Sequence, residues 1–393
     1  MLVLFNAKKG ELHVKILVGL SGGVDSAVAA WLLKQQGLDV TCAFMRNWDS
    51  MANNDFLGNP NAEDDVCPQE KDWMDARSVA ETLGLPLLRV DFVREYWDDV
   101  FTRFLQEYRR GRTPNPDILC NRYIKFSSFL DYARKQGFDT LATGHYARSV
   151  RTENGSRLYK AADLNKDQSY FLCQISQDAL SHTLFPLGEI DKPQVRSIAA
   201  QLQLSIADKK DSTGICFIGE RNFREFLKNY LPAQEGPIVD VVSQRVLGKH
   251  QGVLYYTIGQ RKGLGIGGGG GPWFVVGKDV ERNELLVASG DHNEWLLSDS
   301  CLVSDMHWLS GKAPALPLTC CAKFRYRQKD NPVVVEAVDE RHVRVRYPQG
   351  VSAVTPGQQA VFYLEEECLG GGVIEETWRD GISLTQRIQR FAR

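Results

Sequence analysis

Between residues 14 and 36 the chain passes from a short apolar run, VKILVGL, through the turn SGGVD into SAVAAWLLKQQ, whose apolar residues fall at helical spacing. No other stretch limits the fold as tightly. An apolar run this short that opens directly into a glycine turn reads as a strand buried on both faces. Strands of that kind belong to parallel sheets covered by helices. The helical run Ser26–Gln36 stops at Gly37, a residue suited to the left-handed position just past a helix end. The unit then recurs. Val40–Met45 reads as a strand, Lys71–Leu83 as a helix closed by Gly84, Pro86–Val90 as a strand and Tyr96–Arg110 as a long amphipathic helix. Ile124–Gln136 is a further helix, closed by Gly137, and Thr140–Thr143 a further strand. This alternation predicts an α/β domain built on a doubly wound parallel sheet. Ligands of such sheets sit beyond the carboxyl ends of the strands.

Near residue 219 the texture changes. Asn222–Tyr230 carries the last clear helix signal, and β-branched, glycine-rich segments follow. Val253–Arg261, Trp273–Val280 and Leu285–Ala288 read as short strands, with the glycine run Gly267–Gly271 as a flexible loop. From about residue 295, the alternating runs Thr319–Arg327, Val333–Val338, His342–Tyr347 and Gln359–Leu364 predict a small antiparallel β-barrel. For a chain of 393 residues, three domains are expected. Their bounds fall at 1–218, 219–294 (a small mixed domain) and 295–393.

Charge is nearly balanced, 47 Lys+Arg against 49 Asp+Glu, which excludes a strongly basic binder of any nucleic acid but leaves local patches open. Lys323, Arg325, Arg327 and Lys329 alternate along one predicted strand, and Arg103, Arg109, Arg110 and Arg112 gather at a helix end. No apolar run approaches the ~18 residues of a membrane span. The apolar opening Met1–Phe5 meets Asn6, Lys8 and Lys9 and so lacks a secretory core. A cytoplasmic protein with no membrane partner is expected. The 9 cysteines are scattered and form no C-x-x-C pair, which argues against a zinc site or a secreted disulfide scaffold. No protein-held metal is expected. Cys42, Cys173, Cys301, Cys320, Cys321 and Cys368 read as small buried hydrophobes, and Cys67 falls in a polar loop.

The octapeptide Gly19–Ser26, GLSGGVDS, is made for an anion. Gly22 and Gly23 let the backbone turn tightly and approach phosphate without a Cβ. The helix that follows offers unpaired N–H groups and the positive end of its dipole, and Ser21 and Ser26 add hydroxyls. It is neither a Walker A loop, which needs a lysine, nor the G-x-G-x-x-G of a dinucleotide fold. Asp25 beside phosphate reads as a magnesium ligand. The plainer reading is a Gly-Gly turn with a capping Ser or Asp.

The loop resembles the SGGxDS PP-loop of the N-type ATP pyrophosphatases, whose members adenylate a substrate and release pyrophosphate. Further motifs narrow the resemblance: GRTPNPDILCNRYIKF at Gly111–Phe126, GHYAR at Gly144–Arg148, KDQSYFL at Lys166–Leu172, and STGICFIGERNF at Ser212–Phe223. With YTIGQRKGLGIGG at Tyr256–Gly268, RYRQ at Arg325–Gln328 and TPGQ at Thr355–Gln358, the chain is similar along essentially its whole length to the tRNA-specific 2-thiouridylase family. That resemblance implies a first domain of the adenine nucleotide alpha hydrolase-like kind. It also implies adenylation of the C2 oxygen of the wobble uridine, followed by sulfur transfer from a cysteine persulfide. Uracil O2 is a poor leaving group until AMP is placed on it. A persulfide is more acidic and more nucleophilic than a thiol, and freeing its terminal sulfur needs a second thiol and ends in a disulfide.

By the same resemblance Cys216 carries the persulfide, Cys120 resolves it and Asp117 is the acid/base. Gly19, Leu20, Ser21, Gly22, Gly23, Val24, Asp25 and Ser26, with Met45 and Gly144, hold ATP, a substrate accompanied by Mg2+. No permanently bound cofactor is implied. Asn115, Pro116 and Asp117 meet the edge of the flipped base, with His145 nearby. Lys166, Asp167 and Gln168 touch the anticodon stem-loop, and Arg325, Tyr326 and Gln358 hold it from the last domain. A sulfur-donor protein, such as a cysteine desulfurase or a relay protein, is the expected second partner. A lysidine-type or argininosuccinate-type ligase, or a non-enzymatic RNA-binding module, are the competing readings.

Overall fold

A computed structural model describes residues 14–57, 68–211, 218, 222–267, 271–290 and 294–391. Its first domain is built on strands β1 (Lys15–Gly19), β2 (Asp39–Arg46), β3 (Leu87–Asp91) and β4 (Thr140–Ala142). Further along the chain come the hairpin β5 (Arg148–Thr152) and β6 (Gly155–Tyr159), and the short β7 (Thr183–Leu184). The sheet runs β3-β2-β1-β4-β7, parallel throughout. Alternation along β1 explains why it is apolar end to end. Ile16 and Val18 join one core cluster and Leu17 the other, all fully buried. Helix α1 (Val24–Gln35), the helix Pro68–Leu83 and the helix Lys192–Gln201 cover the first face. Helical residues 93–109 and 116–135 cover the second. The doubly wound sheet read from the sequence is present.

Two helices differ from expectation in a way that matters. Residues 93–109 begin three positions before the predicted start at Tyr96, and residues 116–135 begin eight before Ile124. The second helix was hidden by its prolines. Asn115 is the N-cap, its Oδ1 accepting from the N–H groups of Asp117 and Ile118 at 3.1 and 3.3 Å, and Pro116 occupies the first helical position, where a missing N–H costs nothing. Asp117 and Cys120 therefore lie on a helix rather than in a loop.

The central domain holds β8 (Gly236–Asp240), β9 (Val246–His250), β10 (Trp273–Asp279) and β11 (Glu284–Ser289), ordered β10-β11-β8-β9. Val253–Arg261 is not the predicted strand. Val253–Tyr255 is a single 3-10 turn, and the glycines at 252 and 259 break the chain with φ of 130° and 81°. Its apolar residues are buried by packing, which periodicity alone does not separate from strand burial. The helix Phe223–Lys228 docks on residues 93–109 through an aromatic cluster in which Phe101 stands 4.8 Å from Tyr230 and 4.9 Å from Trp48.

The last domain is a six-stranded antiparallel barrel: β12 (Leu297–Trp308), β13 (Leu318–Lys323), β14 (Asn331–Ala337), β15 (Val343–Ser352), β16 (Gln359–Leu364) and β17 (Glu367–Arg379). The order β12-β15-β14-β13-β16-β17 closes through a β12–β17 ladder, so the barrel has no free edge of its own. Two features were not anticipated. β17 also pairs with β6, joining the first domain's hairpin to the barrel sheet. And β13 ends at Lys323, not Arg327. Gln328 turns the chain back by accepting from Phe324 N–H at 2.8 Å and donating its own N–H to Arg325 O at 3.1 Å. Lys323, Arg325, Arg327 and Lys329 therefore do not share a strand face. Among the described residues no helix is long and apolar enough to cross a membrane.

Candidate active site

The loop between β1 and α1 leaves the sheet at its central strand, beyond the carboxyl ends, where parallel-sheet proteins place ligands. Its shape is fixed from within. Ser26 Oγ donates to Gly23 O at 3.0 Å, accepts from Ser21 N–H at 3.1 Å and lies 3.2 Å from Ser21 Oγ. Gly22 has φ 76°, and a Cβ there would collide with the Asp72 carbonyl of the neighbouring helix. Ala27 N–H makes the first intrahelical bond, to Gly23 O at 3.2 Å, so the N–H groups ahead of it have no acceptor within α1. Ser21 is exposed, and Gly23 and Asp25 are half-exposed at the mouth.

Gly144 closes the loop from β4. A Cβ at this position would stand 2.7 Å from Ser26 N and 2.9 Å from the Asp25 carbonyl carbon. Only a residue without a side chain allows this approach. Met45 is buried on β2, and its Cε and Phe129 Cε1 lie 3.5 and 3.4 Å from the point a Gly19 Cβ would occupy. Phe129 belongs to the helix over 116–135, so that helix packs directly beside the start of the loop. At the other end of the same helix, Asp117 and Cys120 sit three residues apart and share one face. Cys120 is fully buried, and the turns that follow, Asn121–Ser128, are π-helical, with Phe126 off helical geometry.

His145 is buried between Phe126 and Phe185, at ring-centroid distances of 5.6 and 6.4 Å, and shares a 2.8 Å hydrogen bond through Nδ1 with Thr143 Oγ1. Burial, reinforced by Lys125, pushes its pKa well below the usual histidine value. At neutral pH it is an uncharged ring.

Asp25 is held by residues the sequence did not single out. Its Oδ1 accepts from Tyr146 Oη at 2.8 Å and from Lys192 Nζ at 2.6 Å. Lys192 also pairs with Asp211 Oδ1 at 2.7 Å, and Asp211 takes Arg196 and Lys166 at 2.7 Å each. Burial opposes the charge on Asp211, but its lysine partners outweigh burial and hold the carboxyl well below its usual range. Lys209 donates to Gly22 O at 3.1 Å and to Asp72 and Asp75 at 2.8 and 2.7 Å. Tyr146 and Lys166 carried a sequence signal, as parts of GHYAR and KDQSYFL; Lys192, Arg196 and Lys209 come from a segment with no motif.

Several predicted contact residues are engaged inside the protein. Asp167, buried, accepts from Ala161 N–H, Ser169 N–H and Ser169 Oγ, and Gln168 Oε1 accepts from Tyr146 N–H at 2.9 Å. Arg325 donates to Ile258 O at 2.5 Å and Thr355 Oγ1 at 2.9 Å, and Tyr326 lies 4.4 Å from Phe171. Gln358 donates from Nε2 to Thr113 O at 2.7 Å, beside a backbone bond from Thr113 N–H to Pro356 O at 3.1 Å. Cys216 and Cys67 lie outside the described residues. The chain leaves those residues at Asp211, tied through Lys192 to Asp25. It returns at Ile218, buried in the core cluster that holds Ile118 and Cys120.

Three family models match the chain: a tRNA methyl transferase HUP domain over residues 14–220, a tRNA methyl transferase PRC-barrel domain over 224–289, and an aminomethyltransferase beta-barrel domain over 298–374. The chain is 54% identical over 369 residues to a Mycoplasma capricolum protein named tRNA-specific 2-thiouridylase MnmA, covering 92% of this chain and 98% of that one. It is 51% identical over 372 residues to a protein of the same name from Bacillus cytotoxicus, covering 95% and 97%. Among solved structures, an NMN synthetase from Francisella tularensis aligns with a TM-score of 0.32 at 18% identity, over 55% of this chain and 74% of that one.

Proposed function

The chain belongs to the tRNA-specific 2-thiouridylase family, and from that membership we propose that it is an ATP-dependent tRNA-uridine 2-sulfurtransferase acting on the wobble uridine. One observation carries the reading beyond the name. The helix that presents Asp117 and Cys120 one turn apart packs, through Phe129, beside the first residue of a lysine-free phosphate loop. A ligase of the lysidine or argininosuccinate kind has no use for that cysteine.

ATP lies along Gly19–Ser26, with Met45 at the adenine and the Gly144 backbone against the loop. The α-phosphate is attacked by the C2 oxygen of uracil, and pyrophosphate leaves. Asp25 offers magnesium one carboxylate oxygen, Oδ2, which has no hydrogen bond among the described residues. One carboxylate beside phosphate oxygens is the donor set magnesium uses when it travels with a nucleotide. Magnesium, when bound, neutralises charge on the leaving pyrophosphate.

The terminal sulfur of a Cys216 persulfide then attacks C2, and AMP departs with the oxygen. The Cys120 thiolate attacks Cys216 Sγ, the S–S bond to the transferred sulfur breaks, and 2-thiouridine is released. A Cys120–Cys216 disulfide remains, to be reduced before the next turnover. Asp117, on the same helix face as Cys120, moves the proton. Asn115 and Pro116 border the base, with neutral His145 as an aromatic wall. Lys166, Asp167, Gln168, Arg325, Tyr326 and Gln358 border the anticodon stem-loop. Their internal bonds mean that they shape this surface more than they reach out from it. A sulfur-donor protein, a desulfurase or relay protein, recharges Cys216, and the enzyme works in the cytoplasm.

Incubating the purified protein with ATP, tRNA and a persulfide source, then weighing the nucleosides, tests the proposal. The expected product carries the mass gain of sulfur for oxygen, with AMP and pyrophosphate formed in equal amounts. A methylated nucleoside, or nucleotide cleavage without thiolation, would overturn it. Asp25→Ala should remove pyrophosphate release.

A further inference from the structure

The motif YTIGQRKGLGIGG at Tyr256–Gly268 carries no group that the sulfur chemistry needs, yet several contacts fix its shape. Gln260 Oε1 accepts from Thr257 N–H at 3.1 Å, and Gln260 Nε2 donates to Lys262 O at 3.0 Å. Arg224, from the helix Phe223–Lys228, donates to Gly263 O at 2.6 Å and lies 4.7 Å from the centre of the Tyr256 ring. The turn held in this way carries Arg261 and Lys262, both exposed and in no ion pair among the described residues.

Beside this turn lies an open cavity of about 460 Å³, between the helix Phe223–Lys228 and the central domain. Phe223 and Tyr255 give it an aromatic wall. The charges that line it, on Arg224 and Glu225, are of opposite sign, so the interior suits a neutral polar group better than a phosphate. At the rim stands Gln251, exposed and without a hydrogen bond among the described residues. The backbone around it is fixed. Buried His250 accepts from Gly252 N–H through Nδ1 at 3.0 Å and donates through Nε2 to Asn283 O at 2.9 Å. A carboxamide with a free donor and a free acceptor matches the edge of a nucleobase. Two unpaired cations on the neighbouring turn match the phosphates that flank such a base. Aromatic wall, carboxamide and cationic rim are together the means by which single-stranded RNA is held base by base.

The cavity also stands in the right place. Thr257, part of its wall, accepts from Thr113 Oγ1 at 3.3 Å. Thr113 precedes Asn115 by two residues, at most ~7 Å of chain, and Asn115 borders the target base. We propose that this cavity is a second base subsite, taking the unstacked base of a nucleotide adjacent to the target uridine. Gln251 meets the edge of that base, and Arg261 and Lys262 meet its phosphates. The inference rests on the reading of the chain as a tRNA 2-thiouridylase and deepens it: the enzyme draws two neighbouring bases out of the stack, not the uridine alone.

Filter binding of anticodon stem-loop RNAs to the full chain tests this. Replacing the nucleotide on one side of the uridine by an abasic one should weaken binding to the unaltered protein about 5- to 150-fold, the worth of roughly 1–3 kcal/mol for one stacked base. Gln251→Trp, at an exposed position, covers the mouth of the cavity. It should weaken binding of the intact RNA by a similar factor, and the abasic RNA should then lose nothing further. Gln251→Ala, which keeps the wall, carries the same comparison with a smaller loss should the tryptophan variant not fold. Arg261→Ala and Lys262→Ala should each reduce the salt slope of binding by about one. Three results would overturn the proposal: losses that add between Gln251→Trp and the abasic RNA, abasic RNAs on both sides that bind as tightly as the intact one, or salt slopes unchanged in both rim variants. If the unaltered protein binds neither stem-loop nor tRNA, the thiouridylase reading falls and the inference with it. If it binds them and the losses add, only the inference falls.

Discussion

Burial silences five of the cysteines that are assigned no role. It pushes the thiols of Cys42, Cys301, Cys320 and Cys368 up to about 12 and that of Cys173 well above its ordinary value. Such thiols stay protonated and unreactive at neutral pH. Cys216→Ser should abolish thiolation while tRNA affinity, measured by filter binding, stays within about twofold. Serine is a near isostere, and it removes the sulfur that carries the persulfide in the proposed mechanism. Retained 2-thiouridine in that variant would end the persulfide assignment. His145 supplies a pH prediction. Unfolded, it takes up a proton near its ordinary value of 6.5; folded, burial keeps it neutral to well below that. The unfolded chain therefore binds more protons as pH drops below 6.5, and stability falls over that range. His250 and His307 are lowered by burial too and share the effect. Urea unfolding of His145→Gln should show a shallower fall on the acid side; an unchanged slope would mean the ring is protonated in the fold.

At the scale of elements, the βα units were legible because their signals are local: apolar runs of strand length, helical spacing, and a glycine after each helix. The start of the Asp117–Cys120 helix was also local, an Asn-Pro at N-cap and first position, but two prolines in GRTPNPD read more naturally as a loop. The strand expected over Val253–Arg261 failed for a different reason. Apolar residues are buried equally by sheet pairing and by packing, and only the neighbouring chain decides which. Gly144 gives the prediction proper to this scale. Gly144→Ala places a methyl 2.7 Å from Ser26 N and must move α1 or β4 apart. ATP affinity should drop at least tenfold, with a loss of roughly 1–3 kcal/mol in stability by urea titration. Unaltered nucleotide binding would mean that the loop is not held against β4.

Across the whole molecule, the segment 111–115 is where three domains meet. Arg112 pairs with Glu375 of the barrel, and Gln358 and Pro356 bond Thr113. Thr113 Oγ1 reaches Thr257 Oγ1 of the central domain at 3.3 Å, and Arg325 ties the barrel to Ile258. The helix of Asp117 and Cys120, capped by Asn115, begins immediately after this junction, so the barrel's docking anchors the segment that leads into it. Arg325→Ala should lower the thermal midpoint, because it leaves the Ile258 carbonyl and Thr355 without their donor. It should change the salt slope of tRNA binding less than Arg327→Ala or Lys329→Ala, whose side chains are exposed. An equal change in slope would mean that Arg325 releases its internal partners when RNA binds.

The sequence by itself determined the parallel sheet, the glycine loop at its central strand and the barrel. Each is written in short-range periodicity and glycine placement, and burial enforces those patterns whatever the rest of the chain does. Only the tertiary structure decided that Lys192 stands beside Asp25, that Arg325 and Gln358 are spent on holding domains together, and that β6 extends the barrel sheet. Those contacts join residues more than sixty positions apart. Their partners are chosen by how whole elements pack, and nothing in the local pattern of either residue records the choice.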